Sequence, residues 1–427
     1  MSLIEDHPLR YKLANELHAR PFPAMDAPHV AAFVAIKQPH EAARRDRSED
    51  LKHLLALLDR HGVSHPSPGA THYYGKIGRH WLKWEQHTEF VTYTAFTEGL
   101  PERAFDGSEF EVFPDDWLAE APGQRVTSAL VRVEETAKPP QIETQLQDWF
   151  VPESLATSEV LDGAATVAGD FRIDNKGHLR FAVFVAPGTG ARRVGRIVQR
   201  LCEIETYKSM SMLGFSRVRG MSQKLGELDQ RLTSLMGHMT GNGAPAEETL
   251  DQLLAISAEL EQLSATSSFR FGATGAYEAI VNQRIDALRE VRFEGRQSFA
   301  EFMMRRYEPA MRTVKSAERR LEAMSDRSIR ASNLLRTRVD VERSAQNQNL
   351  LESMDKRSDL QLRLQRTVEG LSVVAISYYA VSLASYVVYP LQQATGLSKG
   401  MLTAAITLPV VFLVWGLVRR IRAGIED

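Results

Sequence analysis

Histidine and carboxylate side chains that could bind a metal are concentrated near the start of this sequence. The densest group combines His72, His80 and His87 with Glu85 and Glu89. Zinc requires three or four converging ligands, usually with short spacings such as HExxH, and no such spacing occurs here. We therefore predict no metal site and no cofactor, and we interpret these histidines as surface residues or as hydrogen-bonded structural residues.

A second group of polar side chains lies in the segment NELHARPF at residues 15–22. Glu16 and Arg20 are four residues apart and can pair on one face of a helix. His18 and Arg20 could bind an anionic ligand or a protein partner. The alternative is a helix end stopped by Pro21, with Arg20 bridging to the next element. Glu16, His18 and Arg20 are our candidate binding or partner site.

A third set of polar residues interrupts an apolar stretch near the C-terminus. Tyr378, Ser382, Ser385 and Tyr389 recur at helical spacing, so they share one face of a helix. Their hydroxyl groups could line a pore in an oligomer, or they could make contacts between packed helices. No ionisable side chain lies inside the stretch, which favours helix packing over ion conduction.

The common phosphate-binding motifs are missing from the sequence. It contains no GxxxxGK[ST] or GxGxxG loop, and no histidine–cysteine pairing argues for a nucleophile. The net charge of -2 provides no basic footprint for nucleic acid. The single cysteine, Cys202, allows no internal disulfide and fits a reducing compartment. We therefore predict no catalytic residue and no nucleic-acid partner. A membrane-tethered enzyme using the histidine-rich region is the least supported hypothesis.

Two charge-free apolar runs, at residues 371–391 and 401–418, are long enough to cross a bilayer as helices. The polar turn between them is short, so the pair should form an antiparallel hairpin. Arginines flank its outer ends, among them Arg366 and Arg419, whereas the turn contains only Lys399. The positive-inside rule then places both termini in the cytoplasm. We predict a multi-pass protein of the inner (cytoplasmic) membrane with the lipid bilayer as a partner.

Residues 1–188 are predicted to contain both α-helices and β-strands. Runs such as HVAAFVAI and EFVTYTAF are typical of strands, and the order of elements favours two similar halves. Residues 189–369 form a predicted stalk of long helices, and residues 370–427 hold the membrane hairpin and a basic tail. The predicted fold is therefore an α+β cytoplasmic N-terminal domain, long antiparallel, coiled-coil-like helices and a C-terminal two-helix transmembrane hairpin.

The stalk contains regularly spaced apolar residues. We predict helices at residues 194–239, 247–264 and 272–294, because apolar residues recur there with a helical period. The segment 310–369 has no glycine or proline and should be one long helix. Its apolar stripe requires a partner surface, which is either a neighbouring helix or another copy in a homo-oligomer.

Three segments resemble a bacterial family of membrane-anchored proteins of unknown function. They are HPLRYKLANELHARPF, RRVGRIVQRLCEIETYKSMSMLGF and LRTRVDVERSAQNQNLLESMDKRSDLQLRLQRTVEGLSVVAISYYAVSL. The resemblance covers nearly the whole chain. It implies a shared architecture and brings no activity with it.

The overall order of elements also resembles the CorA-type magnesium channels. In that family a Gly-Met-Asn motif after the first span forms the ion entrance. Here the corresponding residues are Tyr389-Pro390-Leu391-Gln392-Gln393, so the motif is missing. Under this reading, Gln392, Gln393 and Thr395 would be the only nearby external oxygen ligands. We therefore expect a non-enzymatic, oligomeric membrane protein with a binding or regulatory cytoplasmic domain. The alternative is a CorA-like cation channel or transporter without the motif.

Overall fold

The β-rich runs of the N-terminal region form one nine-stranded sheet in the computed structural model. The structure describes residues 4–16, 22–40, 42–136, 138–239, 245–395 and 398–423. Two compact units are present, the first comprising Met1–Gly243 with Asp251–Ala331 and the second Ala244–Leu250 with Ser332–Asp427. The first unit contains the sheet, whose strands are β1 (His29–Lys37), β2 (His72–Ile77), β3 (His80–Gln86), β4 (Phe90–Glu98), β5 (Gln124–Glu135), β6 (Ala156–Val160), β7 (Ala165–Gly169), β8 (Leu179–Val185) and β9 (Val291–Arg292).

The strands follow the spatial order β2-β3-β4-β1-β5-β8-β7-β6-β9. β1 and β5 meet antiparallel in the middle of the sheet. Along the chain, β1 is followed by a helix and the meander β2-β3-β4, and β5 is followed in the same way by a helix and the meander β6-β7-β8. The direction of the pairing with the last strand of each meander differs, because β1 is antiparallel to β4 whereas β5 is parallel to β8.

Short helices of the first unit connect these strands. α1 (Arg10–Glu16) comes first, and α2 (Arg47–Arg60) begins at Asp46, whose side chain accepts a hydrogen bond from the Ser48 amide as an N-cap. α3 (Asp115–Ala119) lies between β4 and β5, and α4 (Pro139–Trp149) links β5 to β6. Successive strand residues point to opposite faces, so the sheet separates its side chains into two sets.

We call the first set the α2 face, because it packs against α2. It includes Val34 on β1 and Trp84 on β3, which lie with Leu54 and Leu57 in one buried apolar cluster. The second set is the α5 face, and it lies against α5 (Ala191–Met239). It includes Phe33 and Lys83, which directly precede Val34 and Trp84 in the sequence. Both faces of the central strands are therefore covered.

The long helices differ in two respects from the prediction. α6 (Ala246–Leu288) is continuous, so the predicted break before Gly272 is wrong. A glycine inside a helix costs roughly 1 kcal/mol, and packing offsets this cost because Phe271 is buried. The predicted extension of this helix to residue 294 is also wrong, since Val291–Arg292 forms β9 and pairs with β6. α7 (Phe299–Arg306) then begins with a capping box between Ser298 and Glu301.

The second unit contains most of α8 (Glu308–Thr395) together with α9 (Lys399–Ala423). Both helices are long and apolar enough to cross a membrane, and only 6% of each apolar window is buried within the protein. The pair is antiparallel, because Tyr389 shares a cavity with Lys399 whereas Val373 shares another with Val411. A two-helix hairpin with two candidate spans thus ends the described part of the chain.

Candidate functional site

A basic groove lies at one end of the α5 face, within the first unit. It has a volume of about 970 Å³, and its walls come from the end of β1, the start of β5 and the facing sides of α5 and α6. No Asp or Glu is among its lining residues within the described part of the chain. Its five lysine and arginine side chains are Lys37, Arg125, Lys208, Arg217 and Arg270.

Lys37 is the most buried of these cations, with 8% of its surface exposed. Its Nζ donates a hydrogen bond to the Gln38 carbonyl at 2.8 Å. It forms no ion pair with any carboxylate that the structure describes. Burial lowers the pKa of Lys37, and the nearby charge of Arg270 lowers it further, against an opposing effect of Glu89. An anion bound beside Lys37 would offset these costs to its charged form.

The backbone beside Lys37 is held close to the start of β5. A Cβ at Gly123 would lie 2.6 Å from the Lys37 carbonyl carbon, so only glycine permits this approach. The β1–β5 register also shifts between Ala35 and Ile36, next to the groove. Such irregularities re-aim side chains at the edge of a ladder. Together these features bring Lys37 to the same wall as Arg125 on β5.

Two of the groove cations are paired with buried carboxylates behind the groove wall. Arg270 forms an ion pair with Glu89, which is 1% exposed and also accepts a hydrogen bond from the Tyr277 hydroxyl at 2.9 Å. Lys208 lies 2.6 Å from Glu205, which also accepts a hydrogen bond from Thr127 at 3.0 Å. Removing a buried charge from water is costly unless it is paired, so these carboxylates hold Arg270 and Lys208 in place.

Arg125 and Arg217 complete the groove without acidic partners in the part of the chain that the structure describes. Arg217 donates to the hydroxyls of Ser267 at 3.1 Å and Thr266 at 2.8 Å, both on α6. Neutral acceptors orient its guanidinium and leave its charge uncompensated. Within the described residues, three cations of the groove, Lys37 among them, therefore lack a carboxylate partner, and the site is suited to a ligand with several negative charges.

The candidate partner site near the N-terminus lies largely outside the described residues. Glu16 is the last residue of α1, whereas His18 and Arg20 lie outside the described residues. That candidate site thus stays a prediction.

The histidine-rich region contributes to structure in several places. His72 lies opposite Glu85 on neighbouring strands, and a ring nitrogen of His80 is 2.6 Å from the Thr97 hydroxyl. Burial, with the charge of Arg79, lowers the pKa of His80 to about 4. The His87 ring stacks on Phe90. Within the described residues, no group of three or more His, Cys, Asp or Glu side chains is placed to hold a metal ion.

The predicted polar face of the first span lines one cavity in the second unit. Tyr378, Ser382, Ser385 and Tyr389 border a space of about 450 Å³. Thr403 of α9 borders the same space. Ser385 donates a hydrogen bond to the Val381 carbonyl at 2.8 Å, as hydroxyls inside apolar helices commonly do. These contacts are within a single chain, so the choice between a pore and a packing face stays a prediction.

Sequence reasoning missed the basic groove. Its cations lie at positions 37, 125, 208, 217 and 270, and no local motif connects them. A single signal was present, because Lys37 ends an otherwise apolar strand. However, a lysine at that position is equally typical of a strand end exposed to solvent.

The fold and the groove define an α/β-sheet protein with long helices, a basic groove and two apolar helices of membrane-spanning length. The chain belongs to the DUF3422 family, described as "Protein of unknown function", whose family model matches residues 5–425. The predicted resemblance to a family of unknown function is thereby confirmed over almost the full chain. No curated protein matches the sequence. The resemblance to CorA-type magnesium channels is not supported.

Proposed function

We propose that this chain is a membrane-anchored binding protein whose N-terminal α/β domain takes up a small polyvalent anion in the basic groove. The observation that carries the proposal is the group Lys37, Arg125 and Arg217. Among the residues that the structure describes, these three cations have no carboxylate partner, and no acidic residue lines the space around them. Like charges left together in a partly buried site repel one another, and a polyanion relieves that repulsion.

The size and lining of the groove favour a phosphorylated metabolite. Its volume of about 970 Å³ is at the upper end of ordinary ligand sites. Phe269, Met212 and Leu213 add an apolar wall to the basic one. A ligand with a phosphate or diphosphate group and an organic body would contact both parts. In this proposal the domain senses or stores the anion and performs no reaction.

The membrane assignment is the second part of the proposal. Two apolar helices with almost no burial support insertion in the inner membrane. Arginines outside both ends of the hairpin support cytoplasmic termini. Reporter fusions at the C-terminus test this orientation, and a reporter active only outside the cytoplasm would contradict it.

Self-association through α8 is the third part. Leu350, Met354, Leu364 and Val368 are all exposed and share one helical stripe. A second copy of the same helix is a partner with a matching stripe. A Leu364→Lys variant in detergent should shift the protein to monomers in light scattering. Leu362→Lys, an exposed leucine off the stripe, should leave the mass unchanged. A monomeric wild type would contradict this part.

The anion proposal is tested by calorimetric titration of the detergent-purified protein with inorganic pyrophosphate, ATP and citrate at constant ionic strength. Arg217→Gln and Arg125→Gln should each weaken binding roughly tenfold, because each removes a charge-assisted contact of about 1.5–3 kcal/mol. The matched control is Arg231→Gln on the same helix, outside the groove, where Arg231 pairs with Glu259 at 2.8 Å. Equal losses in all three variants, or no binding by wild type, would overturn the proposal.

A further inference from the structure

A second, more enclosed pocket lies on the α5 face, and its chemistry differs from that of the basic groove. It has a volume of about 220 Å³ and is bounded by β1, β3 and β4 on one side and by α5 and α6 on the other. Protein interiors are packed with few voids larger than a water molecule. On the opposite face of the same strands, Leu54, Leu57 and Trp84 are fully buried. A pocket of this size beside such tightly packed strands therefore has room for a small ligand.

Charged groups of both signs meet in this pocket through one hydrogen-bonded series. Lys83 lies 3.0 Å from Glu85 and donates to the Gln199 amide oxygen at 2.9 Å. The Gln199 amide nitrogen donates in turn to Glu203 at 2.8 Å, and Glu203 is paired with Arg284. Two carboxylates and two cations thus line one small space, which is neutral as a whole.

The remaining lining adds hydroxyl groups and apolar walls. The side chains of Thr92 and Thr94 are buried against the pocket. Phe33, Phe90 and Phe96 form apolar walls. A pocket with a few placed polar groups on an apolar background is the usual form of a small-molecule site.

We propose that this pocket binds a free apolar α-amino acid, with the ammonium group at Glu85 and Glu203 and the carboxylate at Lys83 and Arg284. A zwitterion matches the charge of the pocket, since it brings one group for each sign and no net charge. The volume lies below the range of about 300–1,000 Å³ for drug-sized ligands, which fits an amino acid and excludes a nucleotide. The phenylalanine walls select an apolar side chain.

This site is independent of the basic groove, which takes anions and lies against a different part of α5. The pocket uses the stretch from Gln199 to Tyr207, whereas the groove begins at Lys208. The two proposals can therefore succeed or fail separately.

The test compares L-leucine and L-phenylalanine with their N-acetyl and carboxamide derivatives, using thermal unfolding and calorimetry of the full-length protein in detergent. At ~10 mM, an amino acid that binds the native state raises the unfolding temperature by mass action. Each capped derivative lacks one charge and leaves buried charged groups without their contact. We expect it to bind at least roughly tenfold more weakly.

Variants locate the site. Arg284→Gln removes the contact to the carboxylate and should weaken amino-acid binding roughly tenfold, whereas Arg217→Gln in the groove should leave it unchanged. Glu85→Gln keeps the shape of the side chain and removes the negative charge beside the ammonium group, so it serves if Arg284→Gln does not fold. The proposal is overturned if neither amino acid binds, if the capped derivatives bind equally well, or if a folded variant of Arg284 or Glu85 binds like wild type.

Discussion

The α2 face and the α5 face are built from alternate residues of the same strands, yet they contain different chemistry. On the α2 face, Leu57, Trp84 and Trp117 have no exposed surface and pack in one apolar cluster. On the α5 face, Lys37 and Lys83 are almost as deeply buried, and they border two cavities. Burial on one face excludes water, whereas on the other it surrounds charged groups.

This difference separates stability from binding within one sheet. A strand has a period of two, so each strand can supply apolar side chains to one side and polar ones to the other. The α2 face holds the domain together through area removed from water. The α5 face is then free to keep cavities and buried charges, which contribute little to stability. The following three predictions test that separation.

The largest effect is expected on the α2 face. Leu57→Ala should lower the free energy of unfolding by about 3–5 kcal/mol, because it removes buried methyl groups and leaves a cavity. Urea unfolding followed by circular dichroism measures it. The matched change on the α5 face, Thr92→Val, should cost less than ~1.5 kcal/mol. Similar losses from both substitutions would mean that the α5 face stabilises the domain as much as the α2 face does.

An intermediate effect, with opposite consequences for stability and binding, is expected for Glu205→Gln on the α5 face. Glu205 accepts hydrogen bonds from Thr127 and from Ser209, and it neutralises Lys208. Its neutralisation should lower the free energy of unfolding by about 1–3 kcal/mol. The groove gains positive charge, so pyrophosphate should bind more tightly in calorimetric titration. Weaker binding in this variant would contradict the role assigned to the groove cations.

The smallest effect is a pH dependence on the α2 face. Both carboxylate oxygens of Glu109 are buried and have no hydrogen-bond partner among the described residues, and burial raises the pKa of this group to about 7. Its raised folded-state pKa favours the protonated form, so the stability it contributes is present below its usual pKa of 4.5 and is lost as the pH rises to about 7. Glu109→Gln mimics the protonated acid.

That variant should therefore be more stable than wild type by about 1–2 kcal/mol at pH 8, after allowance for solvent screening, and equal to it at pH 4. His80 titrates in the opposite sense, because its lowered pKa removes stability as the pH falls from 6.5 to about 4. Wild type and variant share this contribution, so their difference isolates Glu109. Urea unfolding across this pH range measures it, and a constant difference would exclude titration of Glu109 as the cause.

Local sequence patterns predicted the strands well and the helix boundaries less well. The run HVAAFVAI is a central strand, and EFVTYTAF is its neighbour, because apolar and β-branched residues favour a sheet covered on both sides. The break predicted near Gly272 was wrong, since Phe271 and its neighbours pack within a continuous helix. The strand at Val291 was missed, because a two-residue pairing depends on β6 and has no periodic signal.

The sequence alone determined the two apolar runs, the mixed α and β character of the first part and the long helices, because these depend on composition and periodicity within one segment. Family membership was recognisable from three segments of the sequence that resemble the family. Only the tertiary structure decided that Lys37 and Arg125 share a wall with Arg217, and that Lys83 and Arg284 enclose one pocket. Strand register and helix placement bring such distant residues together. Register and helix placement depend on the packing of the whole domain, so they cannot be predicted from any one stretch of sequence.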